Sequence, residues 1–156
     1  MDLEELLETY GDQLYRMGLL LLKSKEDTED AVQETLYKYM RKHPQFSSGE
    51  HAGRWLMKVM VNECRNIQRF RFRYVPLLIE DIPVLDDQDR NVLRTIEELS
   101  YKDREVLLLR YAEGYSLKEI AEMLKISLSA VKMRLLRAKK AFAEAYGEEF
   151  EDESDT

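Results

Sequence analysis

The feature that most limits how this chain can fold is a break near its middle. The stretch YVPLLIEDIPVLDDQDRN carries Pro76 and Pro83, two of the three prolines in 156 residues, and a cluster of aspartates follows them. Proline has no amide hydrogen and pushes the residue before it out of the helical region, so no regular helix crosses this stretch. The rest of the chain is rich in Leu, Glu, Lys, Arg, Met and Tyr and holds only 6 glycines, which favours helix over strand. The expectation is an all-α protein of two small helical domains, over 1–74 and 88–147, joined by a short flexible linker over 75–87. Residues 148–156, EEFEDESDT, read as an acidic disordered tail.

Apolar spacings of three and four predict helices over 3–22, 25–42 and 54–73 in the first domain, with a loop around HPQFSSGEHAG. In the second domain they predict helices over 88–98, 101–112, 117–124 and 128–146. Ser100 with Asp103 and Ser116 with Glu119 each fit a capping box, and Gly114 can close the intervening helix in the left-handed region. Two short helices, a tight turn and a longer third helix make a helix-turn-helix candidate. In LKEIAEMLKISLSAVKMRL, small Ala121 sits at the close approach, and Ile120, Leu124, Ile126 and Val131 fill the space between the helices. Lys125 stands where glycine is usual, at about 1 kcal/mol if the turn demands a left-handed angle.

The formal net charge is −7, yet the charge is distributed in blocks. Residues 54–73 and 125–140 are basic, and 1–34, 74–100 and 141–156 are acidic. A nucleic-acid binder needs a local positive surface rather than a positive total. On the helix over 128–146, Leu128, Val131, Leu135, Ala138 and Phe142 share one face. Ser129, Met133, Arg137 and Lys140 lie opposite, flanked by Lys132 and Arg134. Such a helix suits a major groove: cations neutralise phosphates, arginine forks onto guanine, and Met133 can meet a thymine methyl. A merely solvated basic helix would have the same composition, but the capped helix and turn before it favour DNA reading.

The helix over 54–73 places Arg54, Lys58, Asn62, Arg65 and Arg69 on one face and Trp55, Leu56, Val59, Met60, Ile67 and Phe70 on the other. Phe70, Phe72 and Tyr74 alternate with Arg69, Arg71 and Arg73, a mixture suited to unstacked bases, although the aromatics alone would serve equally as core. Glu63 falls on the apolar face without an evident partner. On the helix over 25–42, Val32, Leu36, Tyr39 and Met40 read as the buried side. Asp30, Gln33, Glu34, Tyr37, Lys38 and Arg41 line the other. That mixed acid, amide and aromatic surface does not attract phosphates; it is either solvated surface or a docking face for a protein.

Other classes are disfavoured. No apolar run approaches about twenty residues, so membrane insertion is not expected. The acidic MDLEELLE is the reverse of a signal peptide's basic start. A single cysteine, Cys64, excludes an internal disulfide and suits a reducing cytoplasm. Two separated histidines assemble no metal site, and no catalytic set or cofactor motif is apparent.

Three segments, EDTEDAVQETLYKYMRK, FSSGEHAGRWLMKVMVNECRN and LSYKDREVLLLRYAEGYSLKEIAEMLKISLSAVKMRLLRAKKAF, resemble an extracytoplasmic-function sigma factor of the sigma-seventy family. The resemblance spans nearly the whole chain, in order, with a short linker in place of the middle domain of larger members. It implies a non-enzymatic factor that binds core RNA polymerase, directs it to promoters and helps open them. By resemblance Asp30, Gln33 and Glu34, with Tyr37 beside them, match the surface that docks the clamp-helix coiled coil of the polymerase β′ subunit. The loop from Phe46 to Gly53, with Asn62 and the neighbouring Arg54, Lys58, Arg65 and Arg69, matches the part that melts and captures the minus-ten element. Ser129, Lys132, Met133, Arg134 and Arg137 match the helix that reads the minus-thirty-five element, and the same domain touches the β-subunit flap. An anti-sigma factor is a further expected partner, with Met133 and Leu136 as anchors. The chain departs from many relatives at Ala52 and Gly53, where an aromatic and an arginine are common, and at Ala130 and Met133, where serine or threonine is common. Two other readings compete: a helix-turn-helix regulator that never docks polymerase, and an inactive sigma-like adaptor. The docking-type second helix and the tryptophan-bearing basic helix argue against the first.

Overall fold

The computed structural model describes residues 2–70 and 87–147. The linker up to its last residue, the acidic tail, and the alternation of Phe72 and Tyr74 with Arg71 and Arg73 lie outside the described residues. The chain divides into two compact units, Met1–Leu77 and Leu78–Thr156, and all regular structure among the described residues is helical.

The first unit is built from α1 (Leu3–Leu22), α2 (Lys25–Lys42) and α3 (Gly49–Arg69), each packed against the other two. Polar side chains start all three. Asp2 and Glu5 form a capping box on α1, Ser24 accepts from the Asp27 amide, and Ser48 accepts from the His51 amide. Leu6, Leu14, Met17 and Leu19 to Leu22 of α1 form a core with Leu56, Met57, Met60, Val61 and Cys64 of α3. Gly18 marks the tightest approach, since a Cβ there would lie 2.5 Å from Thr28 Cγ2 and 2.7 Å from Met60 Cε.

Three expectations for this unit are corrected. α3 begins at Gly49, five residues before the predicted start at 54, so half of the expected loop is helix. Its buried face is Ala52, Leu56, Met57, Met60, Val61 and Cys64; Trp55, Val59 and Ile67 are half-buried, and Phe70 is 75% exposed. On α2 the buried residues are Thr28, Ala31 and Thr35, while Val32, Leu36 and Tyr39 flank them and Met40 is 51% exposed. The inner face could turn to small residues because both threonine hydroxyls donate to their own helix. Thr28 Oγ1 bonds the Ser24 carbonyl at 2.7 Å and Thr35 Oγ1 the Ala31 carbonyl at 2.8 Å, and the Thr35 hydroxyl also meets Met60 Sδ of α3 at 3.6 Å.

The second unit comprises α4 (Asp87–Glu98), α5 (Tyr101–Leu107) running into a π-helical turn (Leu108–Ala112), α6 (Leu117–Leu124) and α7 (Leu128–Tyr146). α7 packs on α4, α5 and α6. Val106 to Leu109, Ile120, Leu124, Val131, Leu135 and Ala138 are buried between them, and Ile126 is half-buried. The turn chemistry matches the sequence reading except at Ser100, which accepts from the Asp103 amide at 3.3 Å as a single cap rather than the expected reciprocal box. Ser116 and Glu119 close a reciprocal capping box at 3.1 and 3.0 Å, and Gly114 takes a φ of 75°. Lys125 does adopt the left-handed region, with φ 56° and ψ 44°. At the π turn, the Glu113 amide reaches back five residues to the Leu108 carbonyl at 3.0 Å. Two members of the predicted inner face of α7 are displaced: Leu128 is exposed, and Phe142 is half-buried, stacked on Tyr146 at 5.4 Å.

Candidate functional sites

Rotation of α2 onto its threonines leaves the opposite face in solvent. Asp30, Gln33, Glu34 and Tyr37 are all exposed, and Met40 joins them. The Arg41 guanidinium sits 5.5 Å from the centre of the Tyr37 ring and neutralises part of the acidity there. Lys38, expected on this polar face, instead leans inward to pair with Glu63 of α3. That ion pair supplies the partner that Glu63 lacked in the sequence reading, and it ties α2 to α3.

On α3 the predicted stripe holds together. Arg54 and Arg69 are exposed, and Lys58, Asn62 and Arg65 are half-buried beside them, opposite the buried face. At the N-terminal end of α3 lies a cleft of about 460 Å³, lined by Tyr39, residues 43–49 and Ala52. Aromatic rings build one wall. Phe46 stacks on Tyr39 with centroids 6.2 Å apart, meets His51 edge-on at 5.3 Å and approaches Trp55 at 6.0 Å. Phe46 and His51 lie in the loop assigned by resemblance to minus-ten capture, whereas Tyr39 and Trp55 were not among the site residues chosen from the sequence. The signal for Tyr39 and Trp55 was their placement on either side of that loop, but on helical wheels both read as core. The unusual Ala52–Gly53 pair also acquires a reason. Ala52 is buried, and Gly53 leaves room for the Tyr10 ring of α1, whose Cε1 would lie 3.0 Å from a Cβ.

On α7 the outer face carries Ser129, Lys132, Met133, Arg137 and Lys140, all exposed, with Met133 at 63%. Leu128 and Leu136 emerge among them as exposed apolar side chains. Arg134 is only half exposed. Its Nη1 is shut from solvent with no hydrogen-bond acceptor among the described residues, so part of this guanidinium belongs to the packing of the domain. Among the described residues no group of three His, Cys, Asp or Glu side chains converges, and no helix is long and apolar enough to cross a membrane.

An acid–amide–aromatic docking face, a cationic stripe beside an aromatic cleft, and a helix-turn-helix with a cationic outer edge define a DNA-binding transcription factor that also holds a protein. Two family models fit in order, sigma-70 region 2 over residues 6–73 and sigma-70 region 4 over residues 89–142. The chain belongs to the sigma-70 family, in its extracytoplasmic-function group. It is 26% identical over 144 residues to the ECF RNA polymerase sigma factor SigX of Bacillus subtilis, covering 81% of this chain and 74% of that one. It is 27% identical over 137 residues to SigV of the same organism, covering 84% and 82%. Among solved structures, the sigma factor RpoE in complex with the anti-sigma factor NepR from Bartonella quintana shares the fold. The TM-score is 0.69 at 24% identity, over 92% of this chain and 95% of that one. The PhyRSL–NepR complex from Sphingomonas sp. Fr1 shares it too, with a TM-score of 0.69 at 18% identity, over 100% and 97%.

Proposed function

We propose a division of labour for this polymerase-binding, promoter-specific factor. The exposed Asp30, Gln33, Glu34 and Tyr37 of α2 dock the clamp helices of the β′ subunit. The α3 stripe, Arg54, Lys58, Asn62, Arg65 and Arg69, tracks the backbone of the minus-ten strand, and the aromatic cleft under Phe46 takes an unstacked base. Ser129, Lys132, Met133 and Arg137 of α7 read the minus-thirty-five element, Arg134 contributes its open edge, and the same unit meets the β flap. The factor works in the cytoplasm without catalysis of its own or a cofactor, because the polymerase supplies the chemistry.

The observation that carries this reading is the pairing, within one three-helix unit, of a phosphate-repelling α2 face with a cationic α3 face beside an aromatic cleft. A stand-alone helix-turn-helix regulator needs neither. An anti-sigma factor is the second partner. Exposed Leu128, Met133 and Leu136 on α7 give it apolar anchors, and RpoE and CnrH, which share this fold, were solved with NepR and with the cytosolic domain of CnrY.

Run-off transcription with core polymerase on a promoter library tests the whole reading. Asp30→Ala with Gln33→Ala should lower core binding and all transcripts together while helix content stays at the parental level. A folded double variant that captures core polymerase like the parent would remove the docking assignment.

A further inference from the structure

Tyr10 stands midway along α1 and reaches a part of the fold far away in sequence. Its hydroxyl donates to the carbonyl of Gly49, 39 residues on. Its ring lies against Gly53, where a Cβ would be 3.0 Å from Cε1, 3.6 Å from Cζ and 3.7 Å from Cδ1. Both glycines belong to the first turns of α3, and Gly49 itself lines the aromatic cleft. Tyr10 therefore grips that helix end twice, once by a hydrogen bond and once by a close contact that a side chain at Gly53 would crowd.

The loop that carries Phe46 is anchored to the same helix end. Ser48 Oγ accepts from the His51 amide at 3.1 Å, and the Ser47 amide donates to His51 Nδ1 at 3.2 Å. The His51 ring in turn meets Phe46 edge-on. A chain of contacts thus runs from Tyr10 through Gly49 and Gly53 to the first turn of α3, and from there through His51 to Phe46 and the cleft wall. Loops that must open and refill rely on such fixed points, because their own exposed backbone bonds are weak.

We infer that Tyr10 is a positioning residue for minus-ten strand capture, holding the first turn of α3 so that the Phe46 loop presents its cleft in the geometry that receives an unpaired base. This rests on the assignment of the cleft to the minus-ten strand, and the test separates the two. Tyr10→Phe keeps the ring and deletes only the hydroxyl. Gly53→Ala keeps the hydroxyl and presses a methyl on the ring edge.

The experiment uses holoenzyme assembled from each variant and a promoter with a fluorescent base analogue in the minus-ten element, with opening rate as the readout. Core-polymerase affinity and the thermal midpoint of the free protein are measured alongside. Tyr10→Phe should slow opening about three- to tenfold, with core affinity unchanged and the midpoint lowered by no more than the few degrees that one ordinary hydrogen bond is worth. Gly53→Ala should slow it too, and the double variant should lose less than the product of the single effects, because both act on one contact. Phe46→Ala reports on the cleft itself. If Phe46→Ala slows opening and Tyr10→Phe does not, the positioning role is overturned and the cleft assignment stands. If neither slows it, both fall. A Tyr10→Phe defect matched by equal losses in core affinity and thermal midpoint would mean general packing, and would overturn the inference as well.

Discussion

A carboxylate shut between two helices needs a cation beside it or becomes a liability. Glu63 is 8% exposed and meets Lys38, whose alkyl stem crosses from α2 to bring its ammonium inward. Lys38→Met should therefore destabilise the protein by about 1–3 kcal/mol in urea unfolding, because it leaves the acceptor buried and unpaired. Adding Glu63→Leu should recover much of that loss, since an apolar pair of similar volume carries no desolvation penalty. A double variant less stable than Lys38→Met alone would contradict this account. The pair also shows where sequence reading stops. The partner of Glu63 lies 25 residues away on another helix, and neither helical wheel points to it. The aromatic cleft was hidden for a similar reason: Tyr39 and Trp55 look like core until the loop carrying Phe46 folds over them.

Elements were far more legible, because their signals are local. The capped helices of the second unit, the left-handed Gly114 and the left-handed Lys125 follow from residue types within one or two turns. The start of α3 was missed because FSSGEHAG is rich in turn formers, and the residue three after Ser48 is histidine rather than glutamate, so no capping box advertised the helix. Lys125→Gly should stabilise the second unit by up to about 1 kcal/mol, as a residue held at a φ of 56° gives way to one that visits that region freely. A thermal midpoint at or below the parental value would refute it. In α1 two glycines should behave in opposite ways. Gly18→Ala drives a methyl into Thr28 and Met60 and should cost about 1–3 kcal/mol. Gly11→Ala meets only Leu7 Cδ2, at 3.8 Å, and should gain about 0.5–1 kcal/mol from helix propensity. Equal shifts for the two in denaturant unfolding would mean that the close approach at Gly18 is not a constraint.

For the molecule as a whole, the decisive arrangement is cationic stripes on two helix faces of a chain whose net charge is −7. At physiological salt charges of either sign are felt only within about 8 Å, so the faces draw in no distant phosphate and the net charge of −7 adds no attraction. The free protein should bind duplex DNA weakly and with a shallow salt dependence, since each face offers few phosphate contacts. A mobility-shift titration showing tight, sequence-specific binding at physiological salt would overturn this and favour the lone-regulator reading.

That arrangement has a consequence for traffic in the cell. A chromosome is an enormous sink for any protein that adheres to DNA unaided, and such a protein spends its time parked on irrelevant sequence. A factor whose cations become useful only after a larger enzyme holds them against the duplex leaves few copies there. Most of its supply stays in circulation and competes for polymerase in direct proportion to its concentration. The search along the genome falls to the assembled machine, and a rise in free factor would change transcription without first having to saturate the DNA.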